Sequence, residues 1–191
     1  MESPMKRNKR FLAAPVLAMI FPLASHAESI NVDFTATVIA STCNIKLTAL
    51  NGSSVTDNGG DKYTLTIPNV GLDKIENATT AAQADFKLVA TECSAGLNSI
   101  VTKITGTTIS GKLIKNTLTD TTAAENLGMG FKLVNTEDSE FITPDGSSSV
   151  TWDANNIANG LDMTVALREI TQGQGTPGDF ESSATFSFTY N

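Results

Sequence analysis

The sequence predicts an all-β domain, a two-layer sandwich, on three observations. Threonine, serine, valine and isoleucine are abundant after the first 27 residues, and these side chains suit a pleated, half-buried surface. Clusters rich in glycine, asparagine and serine interrupt the chain about every ten residues, the cadence of short strands joined by turns. Both residues 30–40 and residues 180–190 alternate apolar and polar side chains, the period of a strand with one buried face.

Before the first strand comes a segment to be removed. Lys6, Arg7, Lys9 and Arg10 form a basic stretch, residues 11–24 (FLAAPVLAMIFPLA) an apolar one, and Ser25-His26-Ala27 a small-x-small cleavage site. This is the pattern of a secretory signal peptide over residues 1–27. Its apolar run falls short of the roughly 20 residues that a spanning helix needs. The chain is therefore expected to be exported, and residues 28–191 that remain suffice for one domain with its own core.

The predicted strands are 29–42 (SINVDFTATVIAST), 63–70 (YTLTIPNV), 85–93 (DFKLVATEC), 99–109 (SIVTKITGTTI), 128–136 (GMGFKLVNT), 162–170 (DMTVALREI) and 179–191 (DFESSATFSFTYN). Turns are predicted at NGSS (51–54), DNGGD (57–61), PDGSSS (144–149), NNIANG (155–160) and GQGTPG (173–178). Residues 77–84 allow at most a short helical turn, being short and threonine-rich. Two cysteines, Cys43 and Cys93, lie 50 residues apart. In an exported chain an even pair reads as one disulfide, the alternative being two buried thiols or a reactive cysteine. Seven strands with a bridge from the first to the third suggest an immunoglobulin-type sandwich.

Composition narrows the function. Loss of the leader takes four of the 13 basic residues and one of the 20 acidic ones, which leaves a net charge of −10. Such a chain repels phosphate backbones, so no nucleic acid partner is expected. The single histidine, His26, leaves with the leader, removing the commonest general base and zinc ligand. No catalytic residue, metal site or cofactor is predicted. GMGFKL (128–133) and GQGTPG lack the context of a phosphate loop, and the oxygen-rich DNGGD and TEDSE (136–140) read as solvated loops. Trp152 reads as core rather than as a sugar platform, having no aromatic companions beside it.

The ends stand out. Ile30, Val32, Phe34, Ala36, Val38 and Ala40 share one face of the first strand. At the other end Phe180, Ala184, Phe186, Phe188 and Tyr190 oppose Glu181, Ser183, Thr185, Ser187 and Thr189. An apolar terminal strand with one charge is an open template for another chain.

These ends carry a resemblance. VDFTATVIASTC (32–43) resembles the amino-terminal strand and first cysteine of the chaperone–usher fimbrial subunits, the structural pilins of type 1 and P pili. Cys93 falls where that family has its second cysteine. Tyr190 is penultimate, before Asn191, and Gly178, fourteenth from the end, matches the glycine that opens the family's C-terminal chaperone-binding strand.

The resemblance implies an incomplete immunoglobulin-like sandwich that lacks its last strand and is completed by a donor strand from a neighbouring subunit. Residues 28–38 are then the donor extension, with Ile30, Val32, Phe34 and Ala36 as donor side chains, and 39–191 are the pilin domain. Gly178, Phe180, Ala184, Phe186, Phe188, Tyr190 and Asn191 belong to the acceptor groove. One departure is Ala36, where many members have glycine seven positions before the first cysteine. The implied partners are other copies of the chain, other pilins, a periplasmic chaperone and an outer-membrane usher; any host contact is made by the assembled fibre. The implied role is that of a shaft subunit in an extracellular fimbrium, reached through the periplasm. The rival readings are a minor adaptor or terminator pilin and a secreted monomeric β-sandwich binding module.

Overall fold

Alternation sets the first strand: in β1 (Asn44–Ala49) the exposed Asn44, Lys46 and Thr48 interleave with half-buried Ile45 and Leu47. The computed structural model describes residues 42–191. The leader, the extension 28–38 and its Ile30, Val32, Phe34 and Ala36 lie outside the described residues. A hairpin of β2 (Ser54–Asp57) and β3 (Tyr63–Thr66) follows, then α1 (Leu72–Glu76) and a 3-10 turn, Thr80–Ala82. Next come β4 (Gln83–Thr91), β5 (Ile100–Gly106), β6 (Ile109–Ser110), β7 (Leu113–Lys115) and β8 (Leu127–Leu133). The chain continues with β9 (Asp145–Trp152), α2 (Ala154–Asn159), β10 (Leu161–Glu169) and β11 (Ala184–Tyr190).

Two antiparallel sheets make the sandwich, one in the order β1-β4-β10-β8-β7-β6 and the other in the order β11-β5-β9, with β2-β3 as a separate pair. Between them lies one main core. Phe86, Met163 and Trp152 are fully buried there with Ile100 and Ile104. Trp152 is core, as its isolation suggested, and its indole N–H donates to the Thr102 hydroxyl at 2.8 Å. That bond satisfies the one polar atom of a ring otherwise suited to burial. A second apolar cluster of Ile75, Ala82, Ala124, Leu127 and Leu167 adjoins it.

Several elements depart from the expected ones. The turn predicted at 144–149 is largely strand β9. There Ser147, Ser149 and Thr151 face solvent while Val150 and Trp152 turn inward, so hydroxyl residues mimic a loop in composition. NNIANG forms most of α2, started by Asp153, which accepts from Asn156 N–H at 2.8 Å in a capping box. Gly160 ends it at φ 90°, where a Cβ would press on the Leu88 carbonyl. The strand predicted over 179–191 begins only at Ala184. Residues 179–181 bind elsewhere: Asp179 N–H donates to Thr122 O at 2.8 Å and Thr117 N–H to Glu181 O at 2.8 Å.

A charged cluster lies beside the larger sheet. Lys132 and Arg168, only 6% and 7% exposed, both reach Asp138 in the 3-10 turn Asp138–Glu140, Lys132 at 2.9 Å. Further bonds run from Lys132 to the Thr136 carbonyl and from Arg168 to the Leu167 and Ala78 carbonyls. Burial is tolerable here because the cations are both paired and hydrogen-bonded.

Candidate functional site: the free edge of β11

Among the described residues β11 is the last strand of its sheet and pairs only with β5, from Ala184↔Gly106 to Tyr190↔Ile100. Asn191 and Ser99 exchange both backbone bonds, at 2.9 and 3.0 Å. In an antiparallel ladder such pairs alternate, so the odd-numbered residues of β11 bond to β5. The even-numbered ones, Ala184, Phe186, Phe188 and Tyr190, turn N–H and C=O outward to the free edge. The same residues carry the inward side chains.

β1 has the mirror arrangement. Its register with β4 and the bond from Leu50 N–H to Asp85 O assign the even-numbered residues to that ladder. The backbones of Cys43, Ile45 and Leu47 therefore face the free edge, and Ile45 and Leu47 also point at the core. No ladder joins β1 to β11 among the described residues.

The inward side chains of these two edge strands are half-buried, whereas Phe86, Met163 and Ile104 on the central strands are closed off from solvent. Phe186 packs edge-on against Phe86 at 6.1 Å and Phe131 at 5.3 Å. Phe188 meets Trp152 edge-on at 6.3 Å. The arrangement is a strip of exposed core flanked by backbone donors and acceptors that no strand ladder pairs among the described residues. Chemically it can accept an extended strand, whose backbone and alternate apolar side chains both find partners.

At one end the strip is crossed. The Tyr190 phenol donates to the Cys43 carbonyl at 3.1 Å. Burial raises the Tyr190 pKa above the ordinary phenol value. Cys43 is bonded to Cys93, which ties the entry of β1 to the exit of β4.

Of the residues expected at the groove, Ala184, Phe186, Phe188, Tyr190 and Asn191 lie together along β11. Phe180 does not: it packs against the second cluster beside Leu127 and Leu167. Gly178 also lies off the strand. A Cβ there would come within 2.4 Å of the Thr122 carbonyl oxygen and 2.5 Å of the Ala124 nitrogen, so a close backbone approach demands glycine at this position. Ile45 and Leu47, the other wall, were not singled out from sequence, although their alternation with Asn44, Lys46 and Thr48 is a readable signal. Among the described residues no group of three or more His, Cys, Asp or Glu is placed to hold a metal ion.

The family described as "Fimbrial protein" matches residues 32–191. The chain belongs to this fimbrial protein family. It is 48% identical over 169 residues to the uncharacterized fimbrial-like protein YadM of Escherichia coli (strain K12), covering 86% of this chain and 88% of that one. Among solved structures it is similar to the P pilus rod subunit PapA, with 16% identity and a TM-score of 0.49 over 84% of this chain and all of that one. The P pilus adaptor subunit PapF gives 16% identity and a TM-score of 0.48 over 81% and 100%. The expected fimbrial identity thus holds, and with it a structural rather than an enzymatic role. Fimbrial proteins form fibres at the cell surface, which makes the extracellular fimbrium the place of this chain.

Proposed function

We propose that this fimbrial subunit polymerises head to tail by donor-strand exchange, as the major shaft subunit of a chaperone–usher fibre. In this reading residues 1–27 are removed on export to the periplasm and 28–38 form the arm. Ile30, Val32, Phe34 and Ala36 of that arm fill the strip beside β11 of the domain 39–191 in the next copy. A periplasmic chaperone lends a strand until the arm replaces it at the outer-membrane usher. One observation carries the reading: Phe186 and Phe188 present half-buried side chains to the core and, to the same edge, backbone groups that no ladder pairs among the described residues. Each large side chain newly buried contributes roughly 1.5–3 kcal/mol, and a head-to-tail contact that does not close on itself grows as a filament.

The test is gel migration of the exported protein in denaturing detergent, with and without boiling, beside a variant lacking residues 28–38. Regular ladders that collapse on boiling and vanish in the variant are expected. A single monomer band from folded wild-type protein would replace this reading with a self-complete secreted binding module.

A further inference from the structure

Among the described residues one hydrogen bond spans the strip from β11 to β1, the bond from the Tyr190 phenol to the Cys43 carbonyl. We infer that Tyr190 is the strip's end stop, a positioning residue that fixes how far an incoming strand runs and hence its register; this rests on the strand-addition reading above. The Cys43 carbonyl belongs to the free edge of β1, and the Tyr190 phenol occupies it at 3.1 Å.

Both partners of that bond are held. On the β1 side the Cys43–Cys93 bridge and the bond from Ser94 N–H to Thr42 O at 2.9 Å anchor the strand entry. On the β11 side the Asn191 carbonyl accepts from Asn98 N–H at 2.7 Å and Ser99 N–H at 3.0 Å. No hydrogen bond joins Ala49, at the far end of β1, to Ala184 among the described residues. The strip is therefore bridged at Cys43–Tyr190, and no such bond spans it toward Ala49 and Ala184 among the described residues.

A strand running beyond Phe188 has to break the phenol bond and push the half-buried ring aside. Stopping short leaves that bond intact, so the stop favours one alignment. Alignment matters because a slip of one residue turns every apolar side chain of a strand to the wrong face.

The experiment uses the full exported chain and fluorescent peptides, one with the sequence of residues 28–38 and two lengthened by Thr-Val at either end. Uptake is read as labelled complex that survives denaturing detergent without boiling. In wild type, one lengthened peptide should gain nothing over the parent. In Tyr190→Ala the same peptide should gain roughly three- to tenfold, the worth of about one hydrogen bond, and Tyr190→Phe, which keeps the ring, should show part of that gain. Tyr190→Phe also carries the test if Tyr190→Ala does not fold. Equal length dependence in wild type and the variants overturns the stop while strand addition stands. No labelled complex with any peptide overturns strand addition, and the stop with it.

Discussion

Phe186 on the edge strand β11 stands edge-on to Phe131 of the opposite sheet, ring centroids 5.3 Å apart and planes at 85°. Phe86 completes the cluster at 6.1 Å from Phe186 and 6.2 Å from Phe131. A side chain at the open edge is thus an integral part of the core.

Phe186→Ala should therefore destabilise the domain by about 3 kcal/mol, the low end for losing a buried phenylalanine because this ring is half-exposed. Denaturant unfolding measures it. A loss below about 1 kcal/mol, the scale of a typical single substitution, would separate Phe186 from the core.

Gly178→Ala places a methyl within 2.4 Å of the Thr122 carbonyl oxygen. The backbones must part, at a cost of about 1–3 kcal/mol. The bonds of Asp179 to Thr122 and Ala124 should weaken first, seen as faster amide exchange at those two N–H groups. Unchanged protection there would contradict the close approach.

Asp138 gives the domain an acid limit. Burial pushes its carboxyl pKa upward, but hydrogen bonds from Arg168 and Lys132, aided by their charges, outweigh burial and hold it below the usual value. A depressed folded pKa stabilises above the unfolded value of about 3.9, and that contribution is lost as pH falls through the folded pKa. Asp138→Asn should be less stable than wild type at pH 7 by about 3 kcal/mol or less, because two buried cations lose a partner that is itself partly solvated. The gap should narrow as pH drops below about 3.9. A gap independent of pH would assign the loss to packing.

The Cys43–Cys93 bridge closes a 50-residue separation, worth roughly 4 kcal/mol through loop-closure entropy. Under the proposed strand-exchange reading, Cys43→Ser should abolish stable chaperone complexes, since a core with an open edge has little stability in reserve. Co-purification with the chaperone checks this, and normal fibre yield from the variant speaks against it.

The all-β class was legible because strand periodicity and turn chemistry are local. The alternation of Phe186, Phe188 and Tyr190 survives unchanged from sequence to structure. Local pattern misled where composition and environment disagree. Ser147 and Ser149 look like loop residues until Trp152 and Val150 bury the other face of β9, and 179–183 look like strand until Thr117 and Thr122 bind them instead.

The two cysteines, the acidic charge, the signal peptide pattern and the apolar face of the terminal strand could all be read from the residues alone, because each follows from residue identity and local spacing. The position of β11 at a sheet edge, the role of Ile45 and Leu47 of β1 as the other edge with an exposed core, and the reach of Tyr190 to Cys43 emerge only in the folded chain. Those relations join residues far apart in the chain, and they are set by strand order and by the parity of hydrogen bonding, which alternation along a single strand does not encode.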